Sequence, residues 1–181
     1  MNDLHIVSAS YSKVSRTRDL SHQLRASLDK IGATTKYVDL RDIEFAFCVS
    51  DDEGDVKNYP SSIQEIYEDL NQAKSLLLVA RVYLYSVSGG AKNFLDMVGD
   101  ALENKPLALA TASGTQRSYL AGSEILNAMR YEYSSIIFPK TLQYSSEDSL
   151  SDPSFSKRVD DYCESLFRFV NANENNRELE L

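Results

Sequence analysis

The sequence predicts an α/β fold, a doubly wound five-stranded parallel sheet with helices on both faces, and three observations carry that prediction. Five short apolar runs alternate with segments whose apolar residues recur at helical spacing, the pattern of successive βαβ units. The run from Ser75 to Ala80 is apolar at every position after the serine, as expected of a parallel strand covered on both faces. Loops rich in small and polar residues follow three of the runs and lead into helices, which is how open α/β sheets build a ligand crevice at strand carboxyl ends.

The elements follow in order. Residues 4–9 form a first strand. Residues 15–31, with Leu20, Leu24 and Leu28 on one face, form an amphipathic helix closed by Gly32. Residues 34–40 form a second strand, and residues 41–59 are irregular. Pro60 opens a helix through Ile63, Ile66 and Leu70, since proline suits a first helical turn. The strand at 75–80 is followed by a turn at Gly89 and Gly90 and a helix through Phe94, Leu95 and Val98 to about Leu102. Residues 105–111 form a fourth strand, with Pro106 at its start where a missing donor matters least. A helix over 119–130, a strand over 134–139 and a closing helix over 152–172 complete one domain of residues 1–172, leaving 173–181 as a frayed tail. Right-handed crossovers make a flavodoxin-like strand order the economical topology.

Composition narrows the function classes. The chain has 181 residues, 43% hydrophobic and 25% charged, with a net charge of −8. That acidity argues against nucleic acid, whose phosphates call for a basic face, and against an anionic membrane surface. No apolar run approaches the ~20 residues that span a bilayer, and the amino terminus lacks a signal-peptide pattern. Cys48 and Cys163 stand far apart, outside any metal or redox spacing, and read as free thiols of a reduced cytoplasmic protein. The acidic run from Asp51 to Asp55 misplaces its glycine for a calcium loop and reads as a solvated surface. His5 falls in a strand and His22 on a helix face, where core or surface roles outweigh catalysis. No metal site and no catalytic dyad is expected.

Three loops converge on one sheet edge. The first, after residue 9, holds Ser10, Ser12, Ser15 and Thr17 with Arg16 and Arg18 at a helix start. Unpaired first-turn amides and the positive helix end favour a phosphate there, and the hydroxyls and arginines add donors. The alternative is a capping serine among solvated basic side chains; donor density favours the phosphate. The second loop carries Tyr83 and Tyr85, whose flat apolar rings with hydroxyl handles suit a planar ligand. The third offers amides of Ser113, Gly114 and Thr115, with Gly114 permitting unusual backbone angles. A phosphate end, an aromatic middle and an amide-rich edge describe a site for a phosphorylated planar cofactor.

On these motifs the chain resembles the NADPH-dependent FMN reductase family, and within it the two-component FMN reductases that serve sulfonate monooxygenases. The resemblance runs from the first strand to about Pro139. It rests on Ala9-Ser10 with Ser15, Arg16 and Thr17; on Tyr83, Ser86, Ser88, Gly89, Lys92 and Asp96; and on residues 101–106 leading to 112–115. It implies that FMN is bound and that NADPH or NADH supplies a hydride passed on to a flavin, quinone or similar acceptor. It implies that Ser10, Ser15, Arg16 and Thr17 hold the FMN phosphate. Val82, Tyr83, Leu84, Tyr85 and Ser86 would lie along the flavin ring, and Ser113, Gly114 and Thr115 would face its pyrimidine edge. Lys92 and Asp96 would serve helix packing or subunit contacts in a homodimer or homotetramer. The chain departs from the family at Ala9, where glycine is usual, at Ser12, where arginine is frequent, and at Arg81, where proline is expected. Loss of that proline removes a fixed backbone angle, and Arg81 would contact either an anionic nicotinamide phosphate or a neighbouring subunit. A flavodoxin-type electron carrier and a family member without flavin are the competing readings.

Overall fold

The computed structural model describes residues 3–44, 46–49 and 55–178, with side chains to residue 174. Its parallel strands are β1 (Leu4–Ala9), β2 (Thr35–Asp39), β3 (Leu76–Tyr83), β5 (Pro106–Ala112) and β6 (Ile136–Tyr144). They lie in the order β2-β1-β3-β5-β6, the flavodoxin-like arrangement expected. A two-residue strand, β4 (Ser86–Val87), folds back antiparallel on the end of β3. The helices are α1 (Arg16–Lys30), α2 (Ser61–Gln72), α3 (Gly89–Val98), α4 (Ser123–Tyr133) and α5 (Pro153–Glu178).

Alternation along the central strands splits the core into two layers. On one face Val7, Leu76, Leu78 and Ala80 pack with Ile63, Leu70 and Phe94 from α2 and α3. On the other, Leu4, Ile6, Leu77 and Val79 pack with Leu20, Leu24 and Leu28 of α1 and with Phe155 and Leu166 of α5. Both layers leave the carboxyl ends of β1, β3 and β5 side by side, because β1 and β5 both pair with β3.

Several expected boundaries move, each for a physical reason. β3 runs three residues past Ala80, because Arg81 and Tyr83 end the apolar run without ending the ladder. The chain then reverses not at Gly89 and Gly90, which sit in the first turn of α3 behind the capping Ser88, but at Leu84 and Tyr85. Helix α4 starts at Ser123 instead of near Tyr119, after Gly122 at φ 97°, where a Cβ would collide with Leu109. β6 continues to Tyr144 instead of stopping at Pro139. It is an edge strand, and a register shift opposite Leu107 to Leu109 absorbs the proline's missing donor. Helix α5 extends to Glu178, so residues 173–178 are helical instead of frayed: Asn173 donates to the Phe169 carbonyl at 2.8 Å, and Glu174 pairs with Lys74 at 2.5 Å. The acidic residues 51–54 lie outside the described residues, while Asp55 caps a short turn, accepting from the Lys57 amide at 3.1 Å.

His5 is one imidazole that the core holds dry. It is 1% exposed in β1, and neither ring nitrogen has a hydrogen-bond partner. Burial pushes its pKa down to about 4, Asp69 opposing and Lys36 adding to the effect. The folded protein therefore takes up the His5 proton only near pH 4, whereas the unfolded chain takes it up near 6.5. The stability tied to the neutral ring is complete above pH 6.5 and is lost as pH falls from there to about 4, on the order of 3 kcal/mol. Urea unfolding of wild type and His5→Leu across that range checks this. The wild type is expected to lose the larger share of its stability, and parallel profiles for the two proteins would contradict it.

Candidate functional site

The crevice is assembled from the turn after β1 upward. Ser15 ends the turn in extended geometry (φ −132°, ψ 103°), and its hydroxyl accepts the Arg18 amide at 3.2 Å, capping α1. The amides of Arg16 and Thr17, in the first turn, have no intrahelical acceptor, and they stand at the positive end of the helix. Thr17 is fully buried, and its Oγ1 has no partner. Ser10 is buried, and its hydroxyl accepts the Ser12 amide at 3.4 Å.

Arginines fix this turn from both sides. Arg41 donates from Nη1 to the carbonyls of Ser12 (2.6 Å) and Lys13 (2.7 Å). Arg18 pairs with Asp39, at the buried end of β2. Arg16 donates to the carbonyls of Ser113 (3.1 Å) and Ser145 and lies 4.1 Å above the Tyr144 ring. Its guanidinium thus joins the start of α1 to the ends of β5 and β6, so the side chain is committed to carbonyls.

The loop after β5 is held just as firmly. Gln143 donates from Nε2 to the Ser113 hydroxyl and the Thr115 carbonyl, both at 2.9 Å, and Ser146 donates to the Gly114 carbonyl at 2.7 Å. Gly114 has no left-handed backbone, contrary to the expectation of unusual angles; its contribution is open space, with nothing within 4 Å of where a Cβ would sit.

Between the turn after β1, the end of β3 and the start of α3 lies a cleft of about 340 Å³, which the loop after β5 does not line. Ser10, Tyr11 and Ser12 form one wall, Arg81 and Tyr83 the end of β3, and Ser88, Gly89 and Gly90 the floor at the start of α3. Tyr11 lies against Gly90, where any Cβ would strike its ring, which is why glycine stands there. Of the residues singled out from sequence, Ser10, Ser12 and Tyr83 meet in this cleft. Ser15, Arg16 and Thr17, at the start of α1, are not among the residues that line it. Val82 pairs with Val87 and Ser86 with Tyr83 in the hairpin. Leu84 and Tyr85 form the hairpin tip, 98% and 64% exposed. Ser113, Gly114 and Thr115 lie one strand over, following Ala112, which is in register with Arg81. Tyr11, Ser88, Gly89 and Gly90 were missed as lining residues. The signal for Tyr11 was its place directly after Ser10; that for Gly90 was the glycine pair itself, read as a turn. Neither histidine lines the cleft: His5 is in the core, and His22 packs against Tyr37 in a tilted arrangement with centroids 5.0 Å apart.

The chain matches the family model described as NADPH-dependent FMN reductase over residues 3–146. It belongs to that family. The match extends past Pro139 to take in Gln143 and Tyr144, which brace the third loop and Arg16. Among solved structures, the apo form of an NADH:FMN oxidoreductase (EMOB) superposes with a TM-score of 0.78 at 18% identity, covering 92% of this chain and 89% of that one. FerB, a flavoenzyme NAD(P)H:(acceptor) oxidoreductase from Paracoccus denitrificans, gives 0.74 at 16% identity over 96% and 99% of the two chains. An oxidoreductase from Corynebacterium diphtheriae gives 0.73 at 20% identity over 95% and 98%. No curated protein matches the chain. At these identities the structural likeness establishes the shared fold.

The residues present fit a flavin mononucleotide. The unpartnered Thr17 hydroxyl and the free first-turn amides suit its phosphate, and the surrounding carbonyls are already taken by arginines. The hairpin beside them is strained. Leu84 (φ 48°) and Tyr85 (φ 61°) both adopt left-handed backbone at the two centre positions of the turn, a pattern normally filled by Asn-Gly. Strain of this kind concentrates at ligand sites. The double variant Leu84→Asn/Tyr85→Gly is expected to be more stable than wild type by about 2 kcal/mol in urea unfolding. An unchanged or lower stability would show that the turn carries no such strain.

Proposed function

We propose that this protein is an NAD(P)H-dependent FMN reductase, an oxidoreductase that takes a hydride from the nicotinamide nucleotide and delivers the electrons to a flavin, quinone or similar acceptor. The observation that carries the reading is the phosphate-ready start of α1, with its free amides and buried Thr17 hydroxyl, in a chain of the FMN reductase family.

Bound FMN would supply the hydride-accepting chemistry, and the protein supplies position and electrostatics. Ser10, Ser12, Ser15, Arg16 and Thr17 form the phosphate end, with the Arg16 and Thr17 amides as direct donors and the Arg16 guanidinium holding the turn in shape. Val82, Tyr83, Leu84, Tyr85 and Ser86 form the edge along which a planar ring would lie. Ser113, Gly114 and Thr115 present the polar edge, kept rigid by Gln143 and Ser146. Contrary to expectation, the Ser113 amide is already given to the Tyr144 carbonyl at 2.9 Å, which leaves the Gly114 and Thr115 amides as the donors. Such preorganised donors steady developing negative charge without reorganising during the reaction. No side chain is assigned as general acid or base, because hydride transfer needs none.

The free thiols of Cys48 and Cys163 are in keeping with a cytoplasmic enzyme, and the family reading with a homodimer or homotetramer, with free FMN for a partner oxygenase as one acceptor. Among the described residues no helix is long and apolar enough to cross a membrane.

Adding FMN and NADPH to the purified protein and following NADPH oxidation tests the reading. Turnover is expected. Flavin binding without turnover would favour an electron carrier, and absence of flavin binding a member that has lost the cofactor. The double variant Ser15→Ala/Thr17→Ala is expected to weaken FMN binding roughly ten- to a hundred-fold, the loss associated with hydrogen bonds to a charged group. Unchanged affinity would remove the phosphate assignment.

A further inference from the structure

We infer that Arg81 is a phosphate-binding residue of the cleft, reaching from β3 to a phosphate monoester held against the Ser10 and Ser12 wall. The inference rests on the flavin reductase reading and names a contact that reading leaves open.

Four observations converge on it. First, among the described residues lining the cleft, Arg81 is the sole charged side chain. Second, the other arginines near the phosphate turn are already engaged: Arg16 with two carbonyls, Arg18 with Asp39, and Arg41 with the Ser12 and Lys13 carbonyls. Arg81 has no such commitment. No described carboxylate pairs with it, and its Nε is buried without a hydrogen-bond partner. A buried donor left unmade is costly, and a guanidinium fork matches phosphate oxygens in a bidentate way. Third, alternation along β3 sets its direction. Leu77 and Val79 pack into the layer formed by α1 and α5, so Arg81, next in that alternation, projects to the face where α1 begins. Fourth, the side chain is preorganised. Its carbonyl accepts the Ser88 amide at 2.7 Å, its Cα is in register with Ala112, and its guanidinium stands 5.2 Å from the Tyr83 ring centroid.

A phosphate monoester in this crevice has two sources, the 5′-phosphate of FMN and the 2′-phosphate of NADPH. Ser10 and Ser12, which share the cleft with Arg81, favour the FMN phosphate.

The test compares FMN with riboflavin, which lacks the phosphate, by fluorescence titration of wild type, Arg81→Gln and Arg81→Lys. Calorimetry on the FMN-loaded proteins then compares adenosine carrying a 2′-phosphate with 5′-AMP. Arg81→Gln is expected to weaken FMN about ten- to a hundred-fold while leaving riboflavin within about two-fold, and Arg81→Lys to recover part of the loss. If FMN is unaffected and only the 2′-phosphate ligand weakens, the shared chemistry stands and its source is the nicotinamide nucleotide. Equal losses for FMN and riboflavin would place Arg81 on the ring or in the framework and overturn the inference, as would no change for any ligand. Failure of the wild type to bind either flavin would overturn the functional reading along with it.

Discussion

Backbone carbonyls at the carboxyl edge of a parallel sheet point toward the space a ligand must enter, and an anion is repelled by them unless they are turned to other donors. The crevice rests on how this is handled. Arg41 takes the carbonyls of Ser12 and Lys13, and Arg16 takes those of Ser113 and Ser145. With those acceptors occupied, the amides of the first α1 turn and the buried Thr17 hydroxyl are the groups left without a partner. The same two guanidiniums tie β1, β2, β5 and β6 together at their ends. One set of interactions thus fixes the geometry of the loops and makes the space between them attractive to phosphate.

Most of the framework was legible from residue pattern alone. β1 falls on residues 4–9 as read, and the α1 stripe of Leu20, Leu24 and Leu28 is fully buried. These elements are legible because burial alone dictates them. The β3–β4 hairpin was not, since its centre is Leu84-Tyr85 and nothing in those side chains announces left-handed backbone. The end of β6 was misread for a similar reason. Pro139 signals a stop locally, and only the edge position and the register shift, both tertiary facts, let the strand continue.

The candidate site divides along the same line. Serines and a threonine at a helix start advertise donors, so Ser10, Ser12, Ser15 and Thr17 could be picked out one by one. What each arginine does with its hydrogen bonds could not, because sequence gives no means of telling a guanidinium committed to carbonyls from one left available. Arg16 is a carbonyl brace, whereas Arg81, visible at first only as a departure from an expected proline, lines the cleft. Tyr11 and Gly90 were hidden because their relation is purely steric, a ring from one loop lying where a side chain from another element would have to go.

The contrast between the whole molecule and this cleft bears on how an anionic nucleotide reaches it. A net charge of −8 repels nucleotides at long range, but that repulsion is screened over about 8 Å at physiological ionic strength. Inside the crevice the balance reverses. No acidic side chain lines the described cleft, Arg81 does, and the α1 terminus adds its dipole. Attraction is therefore confined to the last few ångströms of approach, where shape is also tested. A phosphate without a planar ring would gain the Arg81 and α1 attraction alone, whereas one that brings a ring would also gain the aromatic edge, and selectivity would follow from that combination.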